Sequence, residues 1–396
     1  MQDIVIVSAV RTAVGKIGGT LKDVQPDDLG KIVIEAAIKN AQIETSCIDE
    51  VILGHVKQSA DAPNIARVSA LKAGIPIDVP AYTVMRQCAS GLQAVNNAAQ
   101  AIMCGVSEII VAGGVESMSN APFYFRNARY GFGSGNAVVY DSNIESQIHA
   151  QPMEVYGQLN MGLTAENLAK KYGISREEQD IFALGSQEKA AKAINEGKFR
   201  DEIVPVSVPR KKAEPIVFDT DEFPRKTSME QLTKLRPAFK DGGTVTAGNS
   251  SGRNDGASCL VLMSAKEAQK RNLKPLAILR SQAAVGAPPE IMGIGPVEAT
   301  KKALKLAGLN LGDIGLIELN EAFAAQSIAV IKELNLNTEI LNVNGGAIAL
   351  GHALGSSGAR IMATLIHEMK RRKVKYGLAT LCVGGGMGVA DIIELV

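Results

Sequence analysis

The feature that most constrains this chain is an order of elements that occurs twice. In the first part, residues 4–7 read as a strand entering a glycine-rich turn, and residues 29–40 have helical periodicity. Residues 51–53 and 82–84 are short apolar strands, and a helix is expected to begin at Cys88. Leu92, Val95, Ala99 and Ile102 recur at spacings of three and four, which gives that helix one apolar face. Residues 109–112 then read as a strand ending at Gly113-Gly114. Near the C-terminus the order returns: a strand at 276–280, a helix at 296–307, and a strand at 316–319 ending at Asn320. Residues 341–343 lead through Gly345 and Gly346 to His352, and Ile361, Met362, Leu365 and Ile366 mark a helical face. A strand at 378–382 runs into Gly384-Gly385-Gly386, and 391–396 closes the chain. Alternating strands and helices predict an α/β fold, and the repeated order predicts two related halves. The likeness between them is one of element order, not of residue identity.

Between the halves the composition changes, with Asn, Gly, Tyr, Arg and Pro becoming frequent. Residues 124–135 resemble loop, 164–172 and 176–196 look helical, and 205–215 is basic and bounded by prolines. This stretch reads as an excursion folded over the core as a lid or cofactor-binding subdomain. The expected division is 1–118 with 247–270 as the N-terminal half, 119–246 as an inserted loop domain, and 271–396 as the C-terminal half. A chain of 396 residues is long for a single core.

Lysine plus arginine total 42 and aspartate plus glutamate 41. So even a balance argues against nucleic-acid or membrane-surface partners, and leaves room for a local basic patch that holds a phosphorylated cofactor. The five cysteines are dispersed, odd in number and without a C-x-x-C, which argues against a disulfide framework or a zinc site. Free thiols fit a reducing cytoplasm. The opening MQDIVIVSAVRT reads as a strand, not a leader, no apolar run is long enough to span a membrane, and the ending IIELV carries no peroxisomal signal. A cytoplasmic enzyme is expected.

Four positions have chemical character. Cys88, before Ala89, Ser90 and Gly91, sits at a strand–helix junction, where unpaired N–H groups and the helix dipole favour a thiolate; its pKa is expected to fall. On position alone it reads equally as a buried thiol at a tight turn. His352, enclosed by Gly345, Gly346, Gly351 and Gly355, suits a general base for a thiol or a histidine satisfying turn backbone. His55, His149 and His367 lack such surroundings, and His367 is expected on a solvated helix face. Cys382 precedes Val383 and Gly384-Gly385-Gly386, a turn whose N–H groups suit an oxyanion. Asn320, in Asn320-Glu321-Ala322-Phe323, either holds a water or carbonyl or caps a helix.

Taken together, Cys88-Ala89-Ser90-Gly91, Gly113 through Ser119, Ala247 through Gly252, Asn320 through Phe323, the Gly-His stretch around His352, and Cys382 through Gly388 resemble the thiolase family. The six stretches stand in family order over essentially the whole chain. The resemblance implies duplicated βαβαβαββ halves packed as a layered αβαβα core, with an inserted loop domain. It implies an acyltransferase of fatty acid metabolism that condenses two acetyl-CoA to acetoacetyl-CoA and CoA, reversibly, through an acyl-enzyme. Cys88 would carry the acyl group, His352 would take its proton, Cys382 would act as acid/base at the α-carbon, and Asn320 would position a water at the enolate oxygen. The backbone N–H groups of Cys88 and Gly384 would form the second oxyanion hole. Ser251, Ala247, Phe323, Met161, Leu235, Phe239 and Arg225 would hold coenzyme A. No metal or prosthetic group is implied, only coenzyme A thioesters as substrates, and relatives are dimers or tetramers. Met85, Ala353 and Asn160 depart from the usual asparagine, proline and histidine. Rival readings are a degradative thiolase for longer chains, a decarboxylating ketoacyl synthase, which would lack Cys382, and a non-catalytic CoA or lipid binder.

Overall fold

The computed structural model describes residues 3–396. Nine strands form one continuous ladder: β1 (Ile4–Thr12), β2 (Glu50–Gly54), β3 (Ala81–Val84), β4 (Ile109–Ser117), β5 (Asn254–Ser264), β6 (Ala277–Gly286), β7 (Leu316–Leu319), β8 (Tyr376–Val383) and β9 (Met387–Leu395). Their spatial order is β7-β8-β9-β6-β1-β5-β4-β2-β3. Counted outward from the centre, β1-β5-β4-β2-β3 has the same pattern as β6-β9-β8-β7 followed by Leu341, which is bridged to Ile317. In both arms the β2–β4, β2–β3 and β7–β8 pairs are parallel, and the connections through β5 and β9 are antiparallel. The two half-sheets join where β1 pairs with β6, Ile4–Ile6 against Ala277–Leu279.

Side-chain alternation along the strands explains the layering. Val51, Leu53, Ile109, Val111 and Val261 face outward and are covered by α1 (Pro26–Ala41) and α2 (Ile65–Lys72). Ile52, Ile110, Ala112, Leu260 and Leu262 face inward, against α3 (Ser90–Met103) and α9 (Leu354–Arg372). Those two helices also cover Ala379, Leu381, Val389 and Ile393 of the second half. The opposite face of that half, with Ile317, Leu319, Leu378 and Ile392, is covered by α7 (Gly295–Ala307) and joined by Val330 of α8 (Ala324–Leu334). The result is five layers, αβαβα. The aliphatic side chains that α3 and α9 turn toward the two half-sheets and each other, such as Leu92, Ile102, Ile361 and Leu365, are fully buried, and each contributes about 1.5–3 kcal/mol.

Residues 119–246 carry α4 (Ser142–Ile148), α5 (Met161–Tyr172) and α6 (Arg176–Asn195), with a ribbon pairing Phe123–Phe125 to Val139–Asp141 and another pairing Val206–Arg210 to Ala213–Phe218. A capping box between Ser175 and Glu178 starts α6. Ala165, Leu168 and Ala169 of α5 share a cluster with Met292, Ala322, Phe323 and Cys382, so the excursion is anchored on the second half. Asn160 is the N-cap of α5, accepting from Leu163 N–H at 2.9 Å.

Three expectations are corrected. The helix after Cys88 begins at Ser90, because the chain first makes a tight turn. The strand at Ile109 does not stop at Gly113-Gly114 but continues to Ser117; the glycines are there because a Cβ on Gly114 would lie 1.9 Å from the Gly355 carbonyl oxygen. His367 does not face solvent freely: its Nε2 lies 3.0 Å from the Ala9 carbonyl.

Candidate active site

Cys88 is presented by a turn held in an unfavourable conformation. Gln87 has φ +42°, in the left-handed region that non-glycine residues seldom enter. Ser90 locks the turn: its hydroxyl donates to the Gln87 carbonyl at 2.6 Å and accepts from Arg86 N–H at 2.9 Å. The Cys88 sulfur accepts from its own N–H and from that of Gly384. Burial pushes this thiol up, and those two N–H groups and the Lys57 charge pull it only part of the way back. The expected fall in its pKa is therefore not met. The helix dipole that was to lower it acts on a sulfur removed from water, where loss of hydration outweighs fixed dipoles.

His352 lies in the equivalent position of the second half, before α9. Asn254 Oδ1 accepts its backbone N–H at 2.9 Å. Ser357 Oγ stands 2.6 Å from His352 Nδ1 and donates its own proton to the Ala353 carbonyl at 2.8 Å. Ser357 must then accept from Nδ1–H, which leaves Nε2 unprotonated and able to accept. Burial, and then the Arg360 charge, push the imidazole pKa down to about 3, so it is neutral at physiological pH. Asn320 Nδ2 lies 3.5 Å from Nε2, while Asn320 Oδ1, also buried, has no protein partner. Glu321 fixes this corner by accepting from Ser186 at 2.6 Å, Asn342 at 2.8 Å and Ile348 N–H at 3.2 Å. Across the molecule Glu116 accepts from the N–H groups of Lys57 and Gly355, tying the loop after β2 to the start of α9.

Cys382 is fully buried near the end of β8. The turn to β9 uses Gly385 and Gly386, both at φ +87°, and directs Gly384 N–H at Cys88. Burial, followed by the proximity of Cys88, raises the Cys382 thiol well above its ordinary value.

One cavity of about 850 Å³, its open mouth included, reaches Cys88, His352 and Gly384, whereas Cys382 and Asn320 are buried and do not line its wall. It is lined by Cys88, His352 and Gly384 and, of the proposed coenzyme contacts, by Met161, Phe239, Ser251 and Phe323. Ser250 bridges Phe323, and Ser251 N–H donates to the Ala322 carbonyl at 3.0 Å, which brings the two short motifs side by side. Ala247, Leu235 and Arg225 are not in its wall. Leu235 is partly exposed against Gly248, and Arg225 points to the Ala247 carbonyl at 3.4 Å, along a neighbouring groove with Gln187 and Pro224. Met85 is exposed on the surface, whereas Ala353 is buried and accepts from Ser357. The sequence reading missed Lys57, Asn143, Ser146, Arg253 and Met292, all in the wall. Only Arg253, next to a motif already noticed, offered a signal.

Residues 4–266 match the family model described as thiolase, N-terminal domain, and residues 273–395 that of thiolase, C-terminal domain. The chain is 52% identical over 393 residues to an acetyl-CoA acetyltransferase of Chromobacterium violaceum, covering 99% of each. It is 53% identical to one of Pseudomonas aeruginosa, covering 98% of each. Among solved structures it is similar to a Bacillus anthracis acetyl-CoA acetyltransferase, with TM-score 0.97, 47% identity and 100% and 99% coverage. It is also similar to human mitochondrial 3-ketoacyl-CoA thiolase in complex with CoA, with TM-score 0.95, 44% identity and 100% and 98% coverage.

Proposed function

The chain belongs to the thiolase family, and from that premise we propose that it is an acetyl-CoA C-acetyltransferase, interconverting two acetyl-CoA with acetoacetyl-CoA and CoA. The observation that carries this reading is the shared cavity, lined both by a cysteine beneath two N–H donors and by a neutral histidine whose Nε2 is unprotonated.

In the first half-reaction, His352 Nε2 takes the Cys88 proton as the sulfur attacks the thioester carbonyl. The carbonyl oxygen becomes an oxyanion held by the N–H groups of Cys88 and Gly384. The departing CoA sulfur takes a proton from Cys382, leaving acetyl-Cys88 and a Cys382 thiolate. Because burial raises that thiol, its thiolate is a strong base, as removal of a proton from the α-carbon of a second acetyl-CoA requires. The enolate oxygen is stabilised by the now protonated His352 and by a water on Asn320. The α-carbon attacks the acetyl group, the C–S bond to Cys88 breaks, the Cys88 sulfur takes back its proton from His352, and acetoacetyl-CoA leaves. Losing one such oxyanion donor typically costs on the order of 100-fold in rate. Two half-reactions on one cysteine give ping-pong kinetics.

Met161, Phe239, Ser251 and Phe323 are proposed to hold the pantetheine arm, with residues 119–246 as the covering loop domain. Ala247, Leu235 and Arg225 would act further out, toward the nucleotide. Among the described residues no helix is long and apolar enough to cross a membrane. A homo-oligomer is supported by β3, an edge strand with Tyr82 and Met85 exposed beside it. The test is thiolysis of acetoacetyl-CoA against longer 3-ketoacyl-CoA. Cleavage of the four-carbon substrate is expected, and activity on the longer chain alone assigns the enzyme to the degradative rival.

A further inference from the structure

Two cations line the Cys88 cavity, Lys57 and Arg253, and no carboxylate does. Lys57 follows β2 and is 6% exposed. Its ammonium donates to the Ser142 carbonyl at 3.1 Å and to the Ser146 hydroxyl, both on α4. Glu116 and Asp141 act on it electrostatically, but neither forms an ion pair with it among the described residues. The Arg253 side chain makes no hydrogen bond or ion pair among the described residues. The wall beside Lys57 is also polar: Asn143 is buried with Oδ1 unpartnered, and Ser146 and Gln147 face the same space. Lys57 and Cys88 influence each other electrostatically, so the ammonium is near whatever acyl group the sulfur carries.

A buried ammonium that has hydrogen bonds but no ion-pair partner is unfavourable. An acetyl group has no atom that can offset this. An acyl chain ending in a carboxylate has one, and it would enter a cavity whose two cations have no ion-pair partner and whose wall, among the described residues, has no carboxylate. We propose that this chain also processes 3-ketoacyl-CoA thioesters whose acyl chain ends in a carboxylate, which Lys57 and Arg253 recognise. This rests on the thiolase reading and adds a substrate class to it. The step balances: the Cys88 sulfur adds to the 3-keto carbon, the C2–C3 bond breaks, and the leaving enolate takes a proton to become acetyl-CoA. The carboxylate-bearing acyl group remains on Cys88, and CoA thiol then removes it as a dicarboxylic mono-CoA ester.

The experiment is thiolysis of six- and eight-carbon 3-ketoacyl-CoA in two forms, ending in methyl or in carboxylate. Acetoacetyl-CoA serves as reference. The native enzyme is expected to favour the carboxylate form in kcat/KM at one or both lengths. Lys57→Met and Arg253→Leu should each lower that preference about tenfold or more, while Lys57→Arg retains it. Because Arg253 is partly exposed, its variant reads the preference even where Lys57→Met fails to fold. Cleavage of acetoacetyl-CoA without any preference overturns this inference alone. So does an equal loss on both forms in the variants, which would make Lys57 a partner of the Cys88 thiolate. Failure to cleave any of these thioesters overturns the thiolase reading as well.

Discussion

Cys88 and His352 rest as a neutral pair, because each charged form is disfavoured by burial. For His352 the consequence for stability has a definite sign. Its folded pKa, about 3, lies below the unfolded value near 6.5. Below about pH 6.5 the unfolded chain therefore binds a proton that the folded chain refuses, and this group opposes folding increasingly as pH falls toward about 3. Each pH unit in that window is worth about 1.4 kcal/mol. Relative to His352→Gln, the native chain should thus lose about 3 kcal/mol between pH 6.5 and 4, measured by urea unfolding; parallel pH dependence of the two proteins would refute the assignment. Cys382 acts in both half-reactions, but CoA can leave as a thiolate without its proton, whereas the α-carbon cannot be deprotonated without its base. Cys382→Ala should still be acetylated at Cys88 yet lose condensation by on the order of 100-fold or more, in single-turnover assays of each step. These residues were legible in sequence because reactive side chains beside glycine turns are few. The desolvation of the Cys88 sulfur was not, since it depends on what the rest of the chain places around that atom; the residue as a whole is only partly buried. Lys57, Asn143 and Ser146 stayed hidden for the same reason: their facing depends on how α4 settles over the loop after β2.

At the scale of elements, the site exists because two equivalent strand-to-helix turns, before α3 and before α9, meet at the centre of the molecule. Periodicity revealed both helices and most strands, because their apolar faces alternate cleanly. It misplaced the start of α3, since the left-handed residue there is Gln87, and no glycine marks the turn. It also ended β4 early, because glycine ordinarily interrupts a strand. In this fold Gly114 admits the Gly355 carbonyl, and Gly355 N–H is held by Glu116 at 2.9 Å. Gly114→Ala should therefore push the start of α9, and with it His352, out of place. The expected result is a loss of activity of at least tenfold with a stability loss of about 1–3 kcal/mol, typical of overpacking. Thiolysis kinetics and thermal unfolding on one preparation check this; an unaltered rate would show that the contact does not govern His352.

For the whole molecule, the duplicated order of elements was visible in sequence, and the structure gives it physical meaning as two half-sheets sharing a central helical layer. What stayed out of sight is the edge. β3 ends the ladder with no strand on its outer side among the described residues, and Ile77, Tyr82 and Met85 are exposed around it. A second copy pairing there would satisfy those backbone groups. Sedimentation should find a dimer or larger assembly, shifted toward monomer by Tyr82→Asp with Met85→Asp; a native monomer would contradict this. Both half-reactions require Cys88 to carry the acyl group. Intact-protein mass spectrometry after incubation with acetyl-CoA, followed by peptide mapping, tests it most directly. One acetyl group at Cys88, absent in Cys88→Ala and discharged by free CoA, is the expected result. An unmodified protein, or an acetyl group on another residue in the native chain, would contradict it.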